Sequence, residues 1–234
     1  MHVAIMQPYF LPYIGYFQLI ASADLFVLYD NIKYTKKGWI NRNRFLRDGA
    51  DITFTLPLKA DSDHLDVVRR EIALSFNRER LLQQFRGAYL RAPHFDETFP
   101  LVERIVCYED NGLFGYICHS IRSLCEHLSI GTAIRISSAL DVDHGLRAQE
   151  RVLAICAALG ASTYINPPGG MGLYDPAAFA RHGTELRFLQ PSIEPYEQFG
   201  QPFVAALSIV DVLMFNGRDR TSALVLDGGR HVPC

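Results

Sequence analysis

The sequence predicts an α/β fold: a Rossmann-like, mainly parallel sheet with helices on both faces and a helical insertion in the middle. Short apolar runs alternate with helical patterns over residues 3–29, and the alternation returns after residue 133. The intervening stretch, roughly 77–130, reads as helix alone. At 234 residues, 49% hydrophobic and 21% charged, the chain has ordinary globular composition and length for one large core. No Pro/Gly/Ser linker divides it, so a single domain over 1–234 with the helices as an insertion is expected.

Residues 3–6 (Val-Ala-Ile-Met) form a short buried strand, and residues 13–21 have the apolar spacing of a helix. Pro12 near the first helical turn is tolerated because its missing N–H would be unpaired there. Residues 25–29 are apolar throughout, as strands buried on both faces are, which completes a βαβ unit. Asp48-Gly49 between residues 44–47 and 52–56 is a hairpin dipeptide. Residues 67–74 read as extended; helices are expected near 77–91, capped by Asn77, near 96–108, and near 113–129, stopped by Gly131. Strand 133–136, helix 146–159 ending at Gly160, strand 163–165, strand 185–189 and a closing helix 206–215 complete the fold.

A formal net charge of −2 gives no global reason to expect nucleic acid. The amino-terminal apolar run is too brief and uncharged for a secretory signal, and no stretch approaches the roughly 18 apolar residues of a membrane span. The five cysteines are odd in number and lack C-x-x-C spacing, which points to a reducing, cytoplasmic compartment without disulfides or zinc. Cys118 and Cys125 fall on one helical face, as small buried hydrophobes do.

The densest polar cluster spans residues 30–44, where the second strand ends and open α/β sheets bind ligands. Lys33, Lys36 and Lys37 supply point charges, Arg42 and Arg44 planar forks, and Trp39 and Asn41 recognition groups. The set suits a phosphate, diphosphate or carboxylate; a solvated basic loop is the plain alternative. Gln7, Tyr13, Gly15 and Tyr16 leave the first strand and enter a helix. Tyr13-x-Gly15-Tyr16 has the spacing of the H-x-G-H element of nucleotidyltransferases, without the histidines that steady a transferring phosphate. Aromatic packing of the helix on the sheet competes with that reading.

The eight histidines are scattered and no Gly-x-Ser-x-Gly elbow exists, so a nucleophilic triad and a metal centre find no support. His144, beside Asp141 and Asp143, reads as part of a helix cap. The glycine-rich turn at 166–175, bounded by Asn166 and Tyr174, could offer backbone N–H groups to an anion or serve as a structural turn. Asp211, inside an apolar helix, needs a cation or hydrogen-bond donors if buried, and Arg42 or Arg44 is the expected partner.

Four stretches resemble the WbqC-like family: Met6-Gln7-Pro8-Tyr9-Phe10-Leu11-Pro12-Tyr13-Ile14-Gly15-Tyr16-Phe17, Gly38-Trp39-Ile40-Asn41-Arg42-Asn43-Arg44, residues 159–175, and residues 207–216. The resemblance implies a protein of surface-polysaccharide (O-antigen) or specialised-metabolite pathways, some members being labelled glycine or aminoacyl transferases. The expectation is therefore acyl or aminoacyl transfer to an amine of a sugar or small metabolite. Gln7, Tyr13, Lys33, Trp39, Asn41, Arg42, Arg44, Asn166 and Tyr174 would bind the substrates, and Asp30, Asp211 and Tyr16 would carry catalysis. No metal is expected and a nucleotide stays open. The donor could be a nucleotide-linked sugar or a carrier-bound acyl group, with aminoacyl-tRNA kept open. A nucleotide-dependent ligase or nucleotidyltransferase and a non-catalytic binding partner are the rival expectations.

Overall fold

The computed structural model describes residues 1–62, 64–200 and 202–232; Cys234 lies outside them. The chain opens with β1 (His2–Met6), α1 (Ile14–Ala21) and β2 (Leu25–Leu28). β1 and β2 are adjacent and parallel, with Val3 opposite Leu25 and Met6 opposite Leu28. The chain then leaves the sheet for a separate antiparallel hairpin, β3 (Arg42–Arg47) and β4 (Ala50–Thr55). Asp48 and Gly49 make its turn at φ 53° and 77°, the left-handed pair that a tight right-twisted hairpin demands.

Three helices follow, α2 (Arg78–Tyr89), α3 (Phe95–Val106) and α4 (Leu113–His127). The α/β alternation then resumes with β5 (Ala133–Ile136), α5 (Ala148–Leu159), β6 (Thr163–Asn166), α6 (Pro176–Arg181) and β7 (Glu185–Gln190). The broken helix α7 (Ile209–Leu226) and a short β8 (Arg230–Val232) end it. The strand order is β5-β2-β1-β6-β7-β8, parallel throughout except for β7 against β8.

Successive strand residues point to opposite faces and meet two different apolar layers. Ala4, Phe26 and Leu28 join a layer that runs through α1, the three helices α2 to α4 and α7. Val3, Ile5, Leu25 and Val27 face a smaller layer built on α5 and α6. The expected parallel sheet with helices on both faces is therefore present. The helical insertion packs on one of those faces.

Several local expectations need correction. Residues 67–74 hold a single 3₁₀ turn, Val67–Arg69, with isolated bridges at Glu71 and Ile72, because Val67 N–H and Val68 N–H are drawn to the carbonyls of Ile32 and Asp30. α4 stops before Gly131: Ser129 takes the left-handed turn at φ 57°. The last helix continues past Phe215, interrupted at Gly217, and β8 was not foreseen. Asn77 does cap α2, accepting from Arg80 N–H at 2.8 Å, and Gly160 does end α5 at φ 64°. His144 caps nothing; α5 begins after Arg147, and the His144 ring is engaged elsewhere.

Candidate ligand site at the carboxyl edge of the sheet

From β1 the chain steps to β2 and β5 on one side, then returns to place β6 on the other side of β1. The connections therefore diverge between β1 and β6, and an open parallel sheet is cleft at the carboxyl edge where they do so. The loops leaving β1, β2, β5 and β6 all emerge on that edge, since the four strands are parallel. They bring Gln7, residues 29–44, residues 137–147 and residues 166–175 to one side of the molecule.

The best-built polar group there centres on Arg151, in the first turns of α5. Its side chain is 4% exposed, and no carboxylate hydrogen-bonds to it among the described residues. Nη1 donates to the Asn31 carbonyl at 3.3 Å and Nη2 to His144 Nδ1 at 3.1 Å, while Nε is buried without a partner. The guanidinium lies over the Tyr29 ring, 5.2 Å from its centroid. Burial raises the Tyr29 phenol above its ordinary pKa, and Arg151 and Arg147 pull it back. Asn31 is fixed in turn: its Nδ2 meets His144 Nδ1 at 3.1 Å and its Oδ1 accepts from Ser137 Oγ at 2.9 Å.

Beside it, the Tyr164 hydroxyl lies 3.2 Å from Asn166 Oδ1 and 3.3 Å from the Tyr174 hydroxyl. Desolvation holds both phenols above their ordinary pKa. A Cβ on Gly170 would fall 1.9 Å from Asn166 Nδ2, so the glycine lets the 3₁₀ turn of Pro168–Leu173 close over that amide. Asn166 is buried under this turn, and Tyr174 is half-exposed beside Tyr164.

The basic loop is organised differently from its sequence reading. Trp39, 38% exposed, has the Arg42 and Arg44 guanidinium carbons 5.2 and 5.6 Å from its ring. Both arginines are committed within the protein. Arg42 donates to the carbonyls of Gly38 and Lys37; Arg44 pairs with Asp51 at 2.9 Å and reaches the Ala206 carbonyl at 3.2 Å. Asn41 is buried, accepting from the Tyr34 hydroxyl and donating to the Leu56 carbonyl, so it staples the hairpin. Lys33 is exposed, and its backbone bridges to Asp66.

In the opening motif the Gln7 carbonyl accepts from the Tyr16 hydroxyl at 3.0 Å, and Tyr16 is buried against Phe17 and Phe26. Tyr13 caps α1 with its ring over Gly15, where an added Cβ would meet it at 2.5 Å. The nucleotidyltransferase-like spacing is therefore filled by packed aromatic rings.

Neither carboxylate chosen as a proton acceptor is free. Asp30 is fully buried, with Oδ1 taking the Ser138 N–H at 2.9 Å and Oδ2 its hydroxyl at 2.6 Å. It ties the end of β2 to the turn leaving β5. Asp211, also fully buried, has no arginine: Tyr89 donates at 2.8 Å, Tyr196 at 2.6 Å and Gln198 Nε2 at 2.7 Å. Three neutral donors suffice because Asp211 lies in the first turn of α7, where unpaired N–H groups favour negative charge. Burial raises its pKa and the three hydrogen bonds oppose the rise. The expected pairing of Asp211 with Arg42 or Arg44 is therefore not formed.

The sequence reading took His144 for part of a helix cap and Tyr29 for the end of a buried strand, and did not single out Arg147 or Arg151. The two arginines look like ordinary residues of a charged helix start. The one available signal was position: 137–151 follows β5, and so belongs to the same carboxyl edge as the loops that were chosen. A cavity of about 530 Å³ between α6, β7 and β8 begins at Glu185, on the opposite edge from this cluster. No helix among the described residues is long and apolar enough to cross a membrane.

Comparison with known proteins agrees with the motifs. The chain is 27% identical over 228 residues to the uncharacterized protein Rv1507c of Mycobacterium tuberculosis, covering 92% of this chain and 93% of that one. No solved structure matches it. The model of the WbqC-like protein family matches residues 7–223, a span from the loop after β1 into the second half of α7. With that match over nearly its whole length, the chain belongs to the WbqC-like protein family.

Proposed function

We propose that this chain is an amide-forming transferase of the cytoplasm, acting on surface-polysaccharide or specialised-metabolite intermediates. A donor bearing phosphate or carboxylate binds at the carboxyl edge beside Arg151, and its acyl or aminoacyl group passes to an amine of a sugar or small metabolite. In that step the amine nitrogen bonds to the acyl carbon, the leaving group departs with the bonding electrons, and the proton shed by the nitrogen neutralises the leaving group. The observation that carries the reading is Arg151 itself. A guanidinium 4% exposed is costly to bury without a carboxylate, and here it has one carbonyl, an imidazole and an unpartnered Nε instead. An anionic ligand would complete the set.

The proton acceptor is neither Asp30 nor Asp211, whose oxygens are already taken. The packed Tyr13-x-Gly15-Tyr16 element speaks against a nucleotidyltransferase built on it.

The test is a thermal-shift screen with nucleotides, nucleotide sugars, acyl thioesters and aminoacyl donors. An anionic donor at about a hundred times its Kd stabilises the native state by about 2.7 kcal/mol. For a chain of this size that moves the melting temperature by about 5–10 °C. Arg151→Lys, which keeps the charge and loses the fork, should bind roughly ten-fold or more weakly. A screen in which no anionic donor shifts the wild type, or in which the shift survives in Arg151→Lys undiminished, rejects the reading.

A further inference from the structure

We infer that Arg151 is a positioning residue for His144, and that His144 serves its ligand as an N–H donor through Nε2. The inference rests on the ligand site proposed above. A guanidinium nitrogen can only donate, so the 3.1 Å contact from Arg151 Nη2 obliges His144 Nδ1 to accept. Asn31 Nδ2, also 3.1 Å from Nδ1, makes the same demand from a second element. With Nδ1 accepting, the proton of the neutral ring resides on Nε2.

The side chain is exposed, and Nε2 has no hydrogen-bond partner among the described residues. The ring therefore presents a fixed N–H, on the segment that leads from β5 into α5, to whatever oxygen occupies the edge. Its complement is a phosphoryl or carbonyl oxygen of the bound donor, with the Arg147 side chain exposed three residues further on. A histidine in this state orients and polarises an acceptor; it does not remove the proton of an attacking amine. Asn31 is a weaker arbiter than Arg151, since its amide can be turned while a guanidinium cannot.

Histidine-selective ¹⁵N labelling and long-range ¹H–¹⁵N correlation read the tautomer directly, and His144→Gln identifies the signal by its loss. In the wild type, at a pH above the ring's own titration in the same spectra, the Nε2–H form should account for nearly all of the His144 population. A predominant Nδ1–H form overturns the inference, whatever any variant does.

Arg151→Met should convert the signal to a mixture of both tautomers, with the remaining histidines unmoved. An unchanged tautomer in a folded Arg151→Met protein removes Arg151 from the role. Where Arg151→Met does not fold, Arg151→Lys keeps the buried cation without the reach of Nη2 and should show the same mixing. Inorganic pyrophosphate is the ligand probe: binding at the edge should shift His144 Nε2 more than any other histidine nitrogen. The expected tautomer and its loss in the variants, without a pyrophosphate response, sustain the positioning role and reject the anionic-donor reading instead.

Discussion

A buried carboxylate held only by hydroxyls and an amide leaves a signature in stability against pH. Burial holds the folded-state pKa of Asp211 above the value near 3.9 of an unfolded chain, so the folded state binds its proton more tightly. Folding stability from this residue is then fullest in acid and is lost as pH rises from about 4 through the raised folded pKa. Asp211→Asn removes the titration, so the stability advantage of the wild type over the variant should be largest in acid and shrink towards neutrality. Denaturant curves at a series of pH values read that slope directly. Asp211→Ala, which strands the Tyr89, Tyr196 and Gln198 donors together, should cost about 3–5 kcal/mol in acid and less towards neutrality, on the same titration. Both outcomes belong to a structural residue, and neither requires a ligand.

At the scale of elements, glycines divide by what surrounds them. Gly217 breaks α7 at φ 70° and ψ −178°, a conformation essentially confined to glycine, and a Cβ there would lie 2.6 Å from the His94 ring. Gly217→Ala should lower stability by about 2–4 kcal/mol, from strain and overpacking together, measured by urea unfolding. Gly87, helical in α2 with open space around it, should do the reverse: Gly87→Ala should raise stability by about 0.5–1 kcal/mol. The elements read well from sequence were those with local cues, such as apolar β1 and β2, the Asp48-Gly49 turn, the Asn77 cap and the Gly160 stop. β8 has none: Arg230 and His231 are polar, and only pairing with β7 makes the segment a strand. The second half of α7 was hidden because Asn216-Gly217 reads as an ending, and the chain resumes the helix after it. The candidate site was half legible for the same reason. Strand ends can be placed from periodicity, so the edge was found, but partners such as Arg151 and His144 are set by the tertiary path of α5, which no local pattern encodes.

For the whole molecule, the apolar layer shared by α1, the three inserted helices, α7 and one sheet face implies that the insertion does not melt alone. Calorimetry should show one transition, with van't Hoff and calorimetric enthalpies that agree; a separate early peak would mark α2 to α4 as an independent unit. The loop after β1 carries a further consequence. The Leu11 carbonyl receives both Asn43 Nδ2 and the Ser208 hydroxyl, while Pro12 O takes Ile209 N–H and Phe10 N–H goes to Ile40 O. Ser208 is 197 residues from Leu11, so the loop after β1 is anchored by the cap of the last helix among the described residues. A ribosome releases these partners in order, and domains fold as they emerge. The motif after β1 must therefore wait for 197 further residues to be added before its backbone can close. Contacts of such separation also slow refolding, because the chain entropy is lost before the contact is gained. A nascent chain arrested short of residue 208 would carry the opening motif in full and still lack the lock that shapes it.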